Sequence, residues 1–114
     1  MKTSSAKAKG RRLQQLVRNS LRARYVQETT GMVDEDIESR QMGGTGTDIV
    51  LSPLAKKYIK FDFECKNTET ASPWAWMKQA KENTTTGRKP CVVFTRNHED
   101  TYVLIKFEDF VELM

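Results

Sequence analysis

Three charged residues, Asp48, Glu64 and Lys66, have the types and spacing that hydrolysis of a phosphodiester requires. Glu64 and Lys66 lie two residues apart in the alternating segment 61–66, which predicts that both side chains project from one face of a strand. Asp48 opens the preceding strand, and if the two strands are neighbours, the carboxylates of Asp48 and Glu64 converge. Two adjacent carboxylates repel each other and attract a hard cation such as Mg²⁺.

The carbonyl oxygen of Cys65, between Glu64 and Lys66, could complete the protein's share of such a metal site. Lys66 would then orient the attacking water or assist its deprotonation, while the cation polarises a phosphoryl oxygen and stabilises the leaving oxygen. Alternatively, the charged residues are solvated on an exposed sheet face, because Asp followed later by Glu-x-Lys is a common chance pattern. The sharp alternation, the glycine-rich turn before Asp48 and the basic end of the chain favour the metal site.

Positive charge is concentrated at the N-terminal end of the chain. The 114 residues carry a net charge of +4, but residues 1–27 hold eight positive and no acidic side chains, which leaves the remainder at −4. This asymmetry predicts contact with a polyanion through an N-terminal arm and helix, with a solvated basic tail as the alternative. The candidate DNA contacts in this region are Lys7, Lys9, Arg11, Arg12 and Arg18.

The composition, with 38% hydrophobic and 30% charged residues, is typical of one globular domain. The apolar runs are only a few residues long, so we expect neither a membrane span nor a secretory signal. Cys65 and Cys91 form no CxxC pair and His98 is the only histidine, so a zinc site is not expected. The two cysteines are better explained as buried thiols in a reducing cytoplasm.

The elements that must position these residues alternate between helices and short strands. Apolar spacing predicts helices over residues 6–25 and 107–114 and strands over 49–51, 61–66, 91–96 and 102–106. The Ser-Pro pairs at 52–53 and 72–73 resemble an N-cap followed by proline at the first helical position, so they predict a helical turn or two over 54–58 and a helix over 73–83. This order predicts an α/β fold with one small mixed β-sheet flanked by helices on both faces. We expect residues 1–9 to form a basic flexible arm and residues 10–114 a single domain.

Three further residues could contact phosphate or water near the carboxylates. Arg40 precedes the glycine turn and could hold a phosphate beside the metal, or be solvated on its loop. Gly44 lies in that turn, where bare backbone permits a close approach to DNA. Gln79, on the helix predicted over 73–83, could position a water or a phosphate, or lie on the helix surface. The same helix has two apolar stripes, and one of them could pack against a second subunit.

The segments 46–53 (GTDIVLSP) and 64–67 (ECKN), followed by Trp74 and Gln79, resemble phage-encoded nucleases of the PD-(D/E)XK superfamily. Within that superfamily the chain is most similar to archaeal-type Holliday junction resolvases and their phage relatives. The resemblance implies a restriction-endonuclease-like fold, hydrolysis that depends on Mg²⁺ with Mn²⁺ as a substitute, and a homodimer with two active sites. It places the family's metal-binding Asp and Glu on Asp48 and Glu64, and its Lys on Lys66.

Resolvases of this type carry a further acidic residue on the first helix, where this sequence has Gln14 and Gln15. Either a glutamine takes that role, or Glu28 or Glu38 replaces the acid, or the site is weakened. The resulting hypothesis is a structure-selective DNA endonuclease that resolves four-way junctions during recombination in the cytoplasm of a phage-infected cell. The alternatives are a less selective nuclease of the same fold, acting on flaps, nicks or duplex, and a DNA-binding module with a decayed site.

Overall fold

The N-terminal helix of the computed structural model covers one face of a small β-sheet. The structure describes residues 3–41 and 44–114. Helix α1 (Thr3–Tyr25) buries Leu13 and Val17, one helical turn apart, whereas Leu16 is half-exposed, so its apolar stripe is narrower than predicted. The helix also runs through the expected boundary at residue 9, because residues 3–9 contain no proline and include good helix formers such as Ala and Lys.

A short β-hairpin follows α1 and carries the first of the candidate acids. A 3₁₀ turn (Asp34–Asp36) leads into β1 (Ile37–Ser39), which pairs antiparallel with β2 (Ile49–Leu51). Strand β1 was not predicted, because three residues with a single buried apolar side chain leave too short a pattern to recognise. Ile37 and Ile49 are fully buried against α1 and anchor the hairpin to the core.

Three strands form the larger sheet, β3 (Phe61–Asn67), β4 (Lys89–Thr95) and β5 (Tyr102–Ile105). Their order is β3-β4-β5, with β3 parallel to β4 and β5 antiparallel to β4. Helix α3 (Pro73–Asn83) provides the crossover between the two parallel strands. Two short helices complete the chain, α2 (Pro53–Tyr58) and α4 (Phe107–Glu112).

Helices lie on both faces of the larger sheet, as the order of elements predicted. Helix α1 packs on the face that carries Phe63 and Cys91. Helix α3 packs on the opposite face, where Trp76 and Ala80 contact Val92. The predicted α/β class is therefore confirmed, and no described helix is long and apolar enough to cross a membrane.

The predicted single sheet is divided into a two-stranded and a three-stranded part. The two parts meet at Asp48, whose backbone N–H donates to the carbonyl oxygen of Phe63 at 2.9 Å. Strand β2 has only three residues, which is too short to extend this contact into a ladder. The candidate acid Asp48 is therefore also a structural junction between the hairpin and β3.

A buried ion pair joins the start of β3 to the turn after α3. Asp62, which the alternation placed on the polar face of β3, is 5% exposed, and its Oδ1 lies 2.7 Å from Nε of Arg88. Nη2 of Arg88 also donates to the carbonyl oxygens of Ile59 and Phe61, at 2.7 and 2.9 Å. The backbone N–H of Thr85 donates to the second oxygen of Asp62 at 3.1 Å. These bonds hold the strand and the helix that carry the candidate site in a defined relative position.

Candidate active site

The carboxylate of Asp48 is held against the edge of β3 by the strand's own backbone. Its Oδ2 accepts a hydrogen bond from the backbone N–H of Cys65 at 2.7 Å. Together with the bond to the Phe63 carbonyl, this gives Asp48 two contacts with alternate residues of β3. Those residues direct their backbone groups away from β4, since N–H and C=O of one strand residue point to the same side. The expected convergence of the two segments is therefore present.

Glu64 is 2% exposed and lies beside Asp48 on the face of β3 that meets α3. Its Oε1 accepts a hydrogen bond from Nδ2 of Asn83 at 2.7 Å. Burial, together with the neighbouring Asp48 carboxylate, raises the pKa of Glu64 to about 7 against the lowering effect of the hydrogen bond from Asn83. Burial also raises the pKa of Asp48, although the Cys65 N–H and the charge of Lys66 oppose the shift. Two desolvated carboxylates side by side form a site that a cation would stabilise.

Lys66 projects from the same face of β3 as Glu64, as the alternation predicted. Its Nζ donates to Oε1 of Gln79 on α3 at 2.6 Å. The ammonium group lowers the pKa of both Asp48 and Glu64, which shows that it lies within electrostatic reach of both. Gln79 is thus placed next to the candidate site, where it positions Lys66.

The donor set at this edge suits a hard divalent cation. Among residues 3–41 and 44–114, no three His, Cys, Asp or Glu side chains cluster as metal ligands. The side-chain oxygens at this edge are those of the neighbouring carboxylates of Asp48 and Glu64. The Cys65 carbonyl lies on the same edge as its N–H, which bonds Asp48. The Cys65 side chain packs with the core on the α1 face of the sheet, opposite Glu64, so its sulfur points away from the carboxylates. Oxygen donors of this kind fit Mg²⁺, which retains several waters.

Arg40 is packed inside the glycine turn that precedes Asp48. Its Nε donates to the carbonyl oxygen of Thr47 at 2.5 Å. A Cβ atom added at Gly44 would lie 3.0 Å from the Arg40 Cδ and Cγ, and one at Gly46 would lie 3.0 Å from its Nη2. Gly44 therefore gives the Arg40 side chain room, in addition to any approach to DNA. The charge of Arg40 lowers the pKa of Asp48, so this guanidinium borders the candidate site.

The residues that could replace the missing helix acid lie in different environments. Gln14 is buried on the inner face of α1, whereas Gln15 is exposed. Glu28 is exposed beyond the end of the helix, and Oε2 of Glu38 lies 3.3 Å from Nη2 of Arg22. Glu38 is therefore engaged in an ion pair, and Gln14 is the candidate whose side chain α1 directs into the fold.

The basic residues of α1 fall into two groups. Lys7, Arg11 and Arg12 are exposed, and Arg18 is half-exposed. Lys9, by contrast, is only 5% exposed, and its Nζ lies 3.0 Å from Oε2 of Glu69. The expectation that Lys9 contacts DNA is corrected, because its position four residues before Leu13 places it on the buried face of the helix.

Two features of the site were missed by sequence reasoning. Asn83 was assigned no role, yet it holds Glu64. It follows Gln79 by four residues on α3, so both amides fall on one helix face, and that spacing was a usable signal. The ion pair between Asp62 and Arg88 had no such signal, because the two residues are distant in sequence and neither lies in a motif.

A family model described as "Phage putative PDDEXK endonuclease" matches residues 5–114. The chain belongs to this phage PDDEXK endonuclease family. The match spans both halves of the candidate site, and Asp48 with Glu64-Cys65-Lys66 follows the D…(D/E)XK pattern in the family's name. No curated protein and no solved structure matches the chain. Family membership confirms the predicted PD-(D/E)XK nuclease class and supports endonuclease activity.

Proposed function

We propose that this phage PDDEXK endonuclease is a Mg²⁺-dependent, structure-selective DNA endonuclease that resolves four-way junctions. The observation that carries the proposal is the shared placement of Asp48, Glu64 and Lys66, each held by a different partner. Such separate supports keep the reacting groups in one geometry before substrate arrives. We further propose that the protein acts in the cytoplasm of an infected cell, where phage DNA recombines.

Each residue of the site has a distinct proposed role. Asp48, Glu64 and the carbonyl of Cys65 would hold Mg²⁺, or Mn²⁺ in its place. The bound cation supplies polarisation of the scissile phosphate and stabilisation of the leaving oxygen. Lys66, held by Gln79, orients the attacking water and assists its deprotonation. Arg40, which borders Asp48, offers positive charge to the phosphate.

The exposed basic residues of α1 are proposed to hold the DNA backbone. They are Lys7, Arg11, Arg12 and Arg18. Contacts to phosphates position a protein on DNA without reading its sequence, so selectivity would come from the shape of the substrate. A four-way junction differs from linear duplex in shape and could be selected in this way.

Resolution of a junction needs two cuts, and the described residues supply one Asp48–Glu64 pair, so we propose a homodimer. An apolar surface supports this arrangement. Trp74 and Phe107 are 90% and 80% exposed, and they line a groove of about 470 Å³ with Met77. Strand β5 pairs only with β4 in the described part of the chain, so its outer edge is also open to a second copy. Of the two apolar stripes predicted for α3, the one that contains Trp74 and Met77 lies at this surface.

Cleavage of a labelled four-way junction and of a matched linear duplex tests the proposal. With Mg²⁺ or Mn²⁺ we expect paired, symmetric nicks in the junction and no cleavage of the duplex, and with EDTA no cleavage of either. Asp48→Ala and Glu64→Ala should abolish cleavage, while Glu35→Ala, an exposed acid in the 3₁₀ turn, should not. Equal cleavage of flaps, nicks or duplex would identify the less selective nuclease. Junction binding without cleavage would identify a DNA-binding module, the alternative that Gln14 at the helix position favours.

A further inference from the structure

A pocket of about 270 Å³ opens at the ends of β3 and β4. Three aromatic rings that contact one another in a row, those of Trp76, Phe94 and Tyr102, form its base. The ring centroids of Trp76 and Phe94 are 5.5 Å apart, and those of Phe94 and Tyr102 are 5.9 Å apart. Trp76 is buried, whereas Tyr102 is 55% exposed. The pocket therefore presents flat aromatic surface on a buried, well-supported base.

This pocket is next to the candidate active site and on the same sheet face. Phe94 lies directly opposite Lys66 in the register of β3 and β4. Trp76 lies one helical turn before Gln79, the residue that holds the Lys66 ammonium. Standard strand dimensions place the Cα atoms of Glu64 and Phe94 about 8 Å apart. A DNA strand with a phosphate at the carboxylates can thus place a neighbouring base at the pocket.

The rim of the pocket is polar and mainly acidic, which limits what it can bind. Glu69, Arg96, Glu99 and Asp100 line it. Glu69 pairs with Lys9, and Glu99 lies 3.4 Å from Arg96, so most of these charges are already partnered. A rim with three carboxylates and one guanidinium repels phosphate but accepts hydrogen bonds from the amino groups of bases. A neutral planar heterocycle therefore fits better than a duplex backbone.

We propose that this aromatic pocket binds one unpaired nucleobase of the DNA substrate, stacked on Tyr102. The inference rests on the proposed function, since it takes the ligand to be DNA, and it narrows the substrate to DNA with an unstacked base beside the cleaved phosphate. Stacking on an aromatic ring tolerates any base, because every base has a π face. Single-stranded flaps expose such bases, a four-way junction offers them where its central base pairs open, and continuous duplex does not.

The test measures binding in EDTA, so that neither metal nor cleavage is required. Trp74→Phe leaves Trp76 as the single tryptophan, whose fluorescence reports the pocket. A single-stranded oligonucleotide should quench this fluorescence, and the same sequence as a blunt duplex should not. In this background Tyr102→Ala should weaken binding of the single strand by about 5- to 100-fold, while Tyr102→Phe, which keeps the ring, should bind as before.

Val103→Ala provides the matched control, because Val103 is an exposed neighbour on β5 whose side chain points to the other face. It should leave binding of the single strand unchanged. Absence of quenching by the single strand, or equal weakening by Tyr102→Ala and Val103→Ala, would overturn the inference. Cleavage assays separate this failure from that of the proposed function. If the protein cleaves junctions but the single strand does not quench Trp76 fluorescence, the proposed function stands and the pocket proposal fails. If the single strand quenches but no junction is cleaved, the pocket proposal stands and the proposed function fails.

Discussion

The carboxylate of Asp48 accepts a hydrogen bond from the backbone N–H of Cys65, which lies 17 residues later in the chain. One oxygen of the carboxylate therefore serves the fold, and the other remains for a ligand. This division separates the structural and chemical roles of Asp48, and two substitutions distinguish them.

Asp48→Asn should abolish cleavage while retaining the fold, because the amide oxygen can still accept from Cys65. Asp48→Ala should abolish cleavage and also reduce the free energy of unfolding by about 1–3 kcal/mol, since it leaves that N–H without its acceptor. Urea denaturation of both variants, alongside junction cleavage, measures the two effects. Equal loss of stability in both variants would contradict the structural role of the hydrogen bond.

The raised pKa of Glu64 makes the stability of the metal-free protein depend on pH. The group titrates at about 7 in the folded chain and at 4.5 in the unfolded chain, so the folded state binds more protons between these values. The melting temperature in EDTA should therefore fall as pH rises from about 4.5 to 7, and Glu64→Gln should flatten this change. Mg²⁺ should raise the melting temperature more at pH 8 than at pH 5.5. A melting temperature that rises over this pH range in the unaltered protein but not in Glu64→Gln would refute the raised pKa of Glu64.

Lys66 and Gln79 should differ in the size of their effects on catalysis. Lys66→Met should lower the cleavage rate by about 10²- to 10⁴-fold, because it removes the group that serves the attacking water. Gln79→Ala should lower it less, since it removes only the positioning contact and leaves the ammonium. Calorimetric titration with Mg²⁺ serves as the control, and neither change should abolish metal binding. A larger effect for Gln79→Ala than for Lys66→Met would contradict the proposed roles.

Substitution of an exposed and of a buried basic residue of α1 should affect the salt dependence of DNA binding differently. Arg12→Gln should reduce the slope of log K against log[salt] for duplex DNA by about 0.9, as expected for one lost phosphate contact. Lys9→Gln should leave that slope unchanged, because Lys9 is buried against Glu69, and should lower the melting temperature instead. Fluorescence anisotropy at several salt concentrations makes the comparison. An equal change of slope for both variants would place Lys9 at the DNA after all.

The glycine turn offers a matched pair of substitutions. Gly46→Ala introduces a Cβ at φ +95° and 3.0 Å from the Arg40 Nη2, whereas Gly31→Ala meets a similar φ of +74° with no atom within 4 Å. Backbone strain should lower the free energy of unfolding of both variants by about 1–2 kcal/mol. Gly46→Ala should lose more stability and also activity, since it displaces Arg40 from beside Asp48. Thermal melts and cleavage rates of the two variants measure the difference, and identical behaviour would exclude a role for the packing around Arg40.

Local patterns predicted much of this fold, and long-range pairing accounts for what they missed. The alternation in 61–66 and the proline after a serine at 72–73 led to β3 and α3, because each signal lies within its own element. The side chain of Ser52 caps α2 as predicted, whereas that of Ser72 makes no capping bond. Strand β1 was not predicted, since only its pairing with β2 makes this segment a strand.

The same distinction holds for the candidate site. Glu64 and Lys66 share a strand, so the period of two placed them on one face. The burial of Lys9 depends on Glu69, 60 residues away, and the support of Glu64 depends on Asn83. No local pattern encodes those partners, because they are chosen by the packing of α1 and α3 on opposite faces of the sheet.

The hydrogen bond that the Asp48 carboxylate accepts from the Cys65 N–H has an evolutionary consequence. A lineage that no longer needed cleavage would still experience selection for an acceptor side chain at this position, because this bond ties the hairpin to β3. The side chains of Glu64 and Lys66 bond the side chains of Asn83 and Gln79 instead of a neighbouring backbone, so these two residues would be free to change first. In related chains that have lost activity, an aspartate or asparagine should therefore remain at this position after its partners have changed, and its presence alone should not be taken as a sign of a working nuclease.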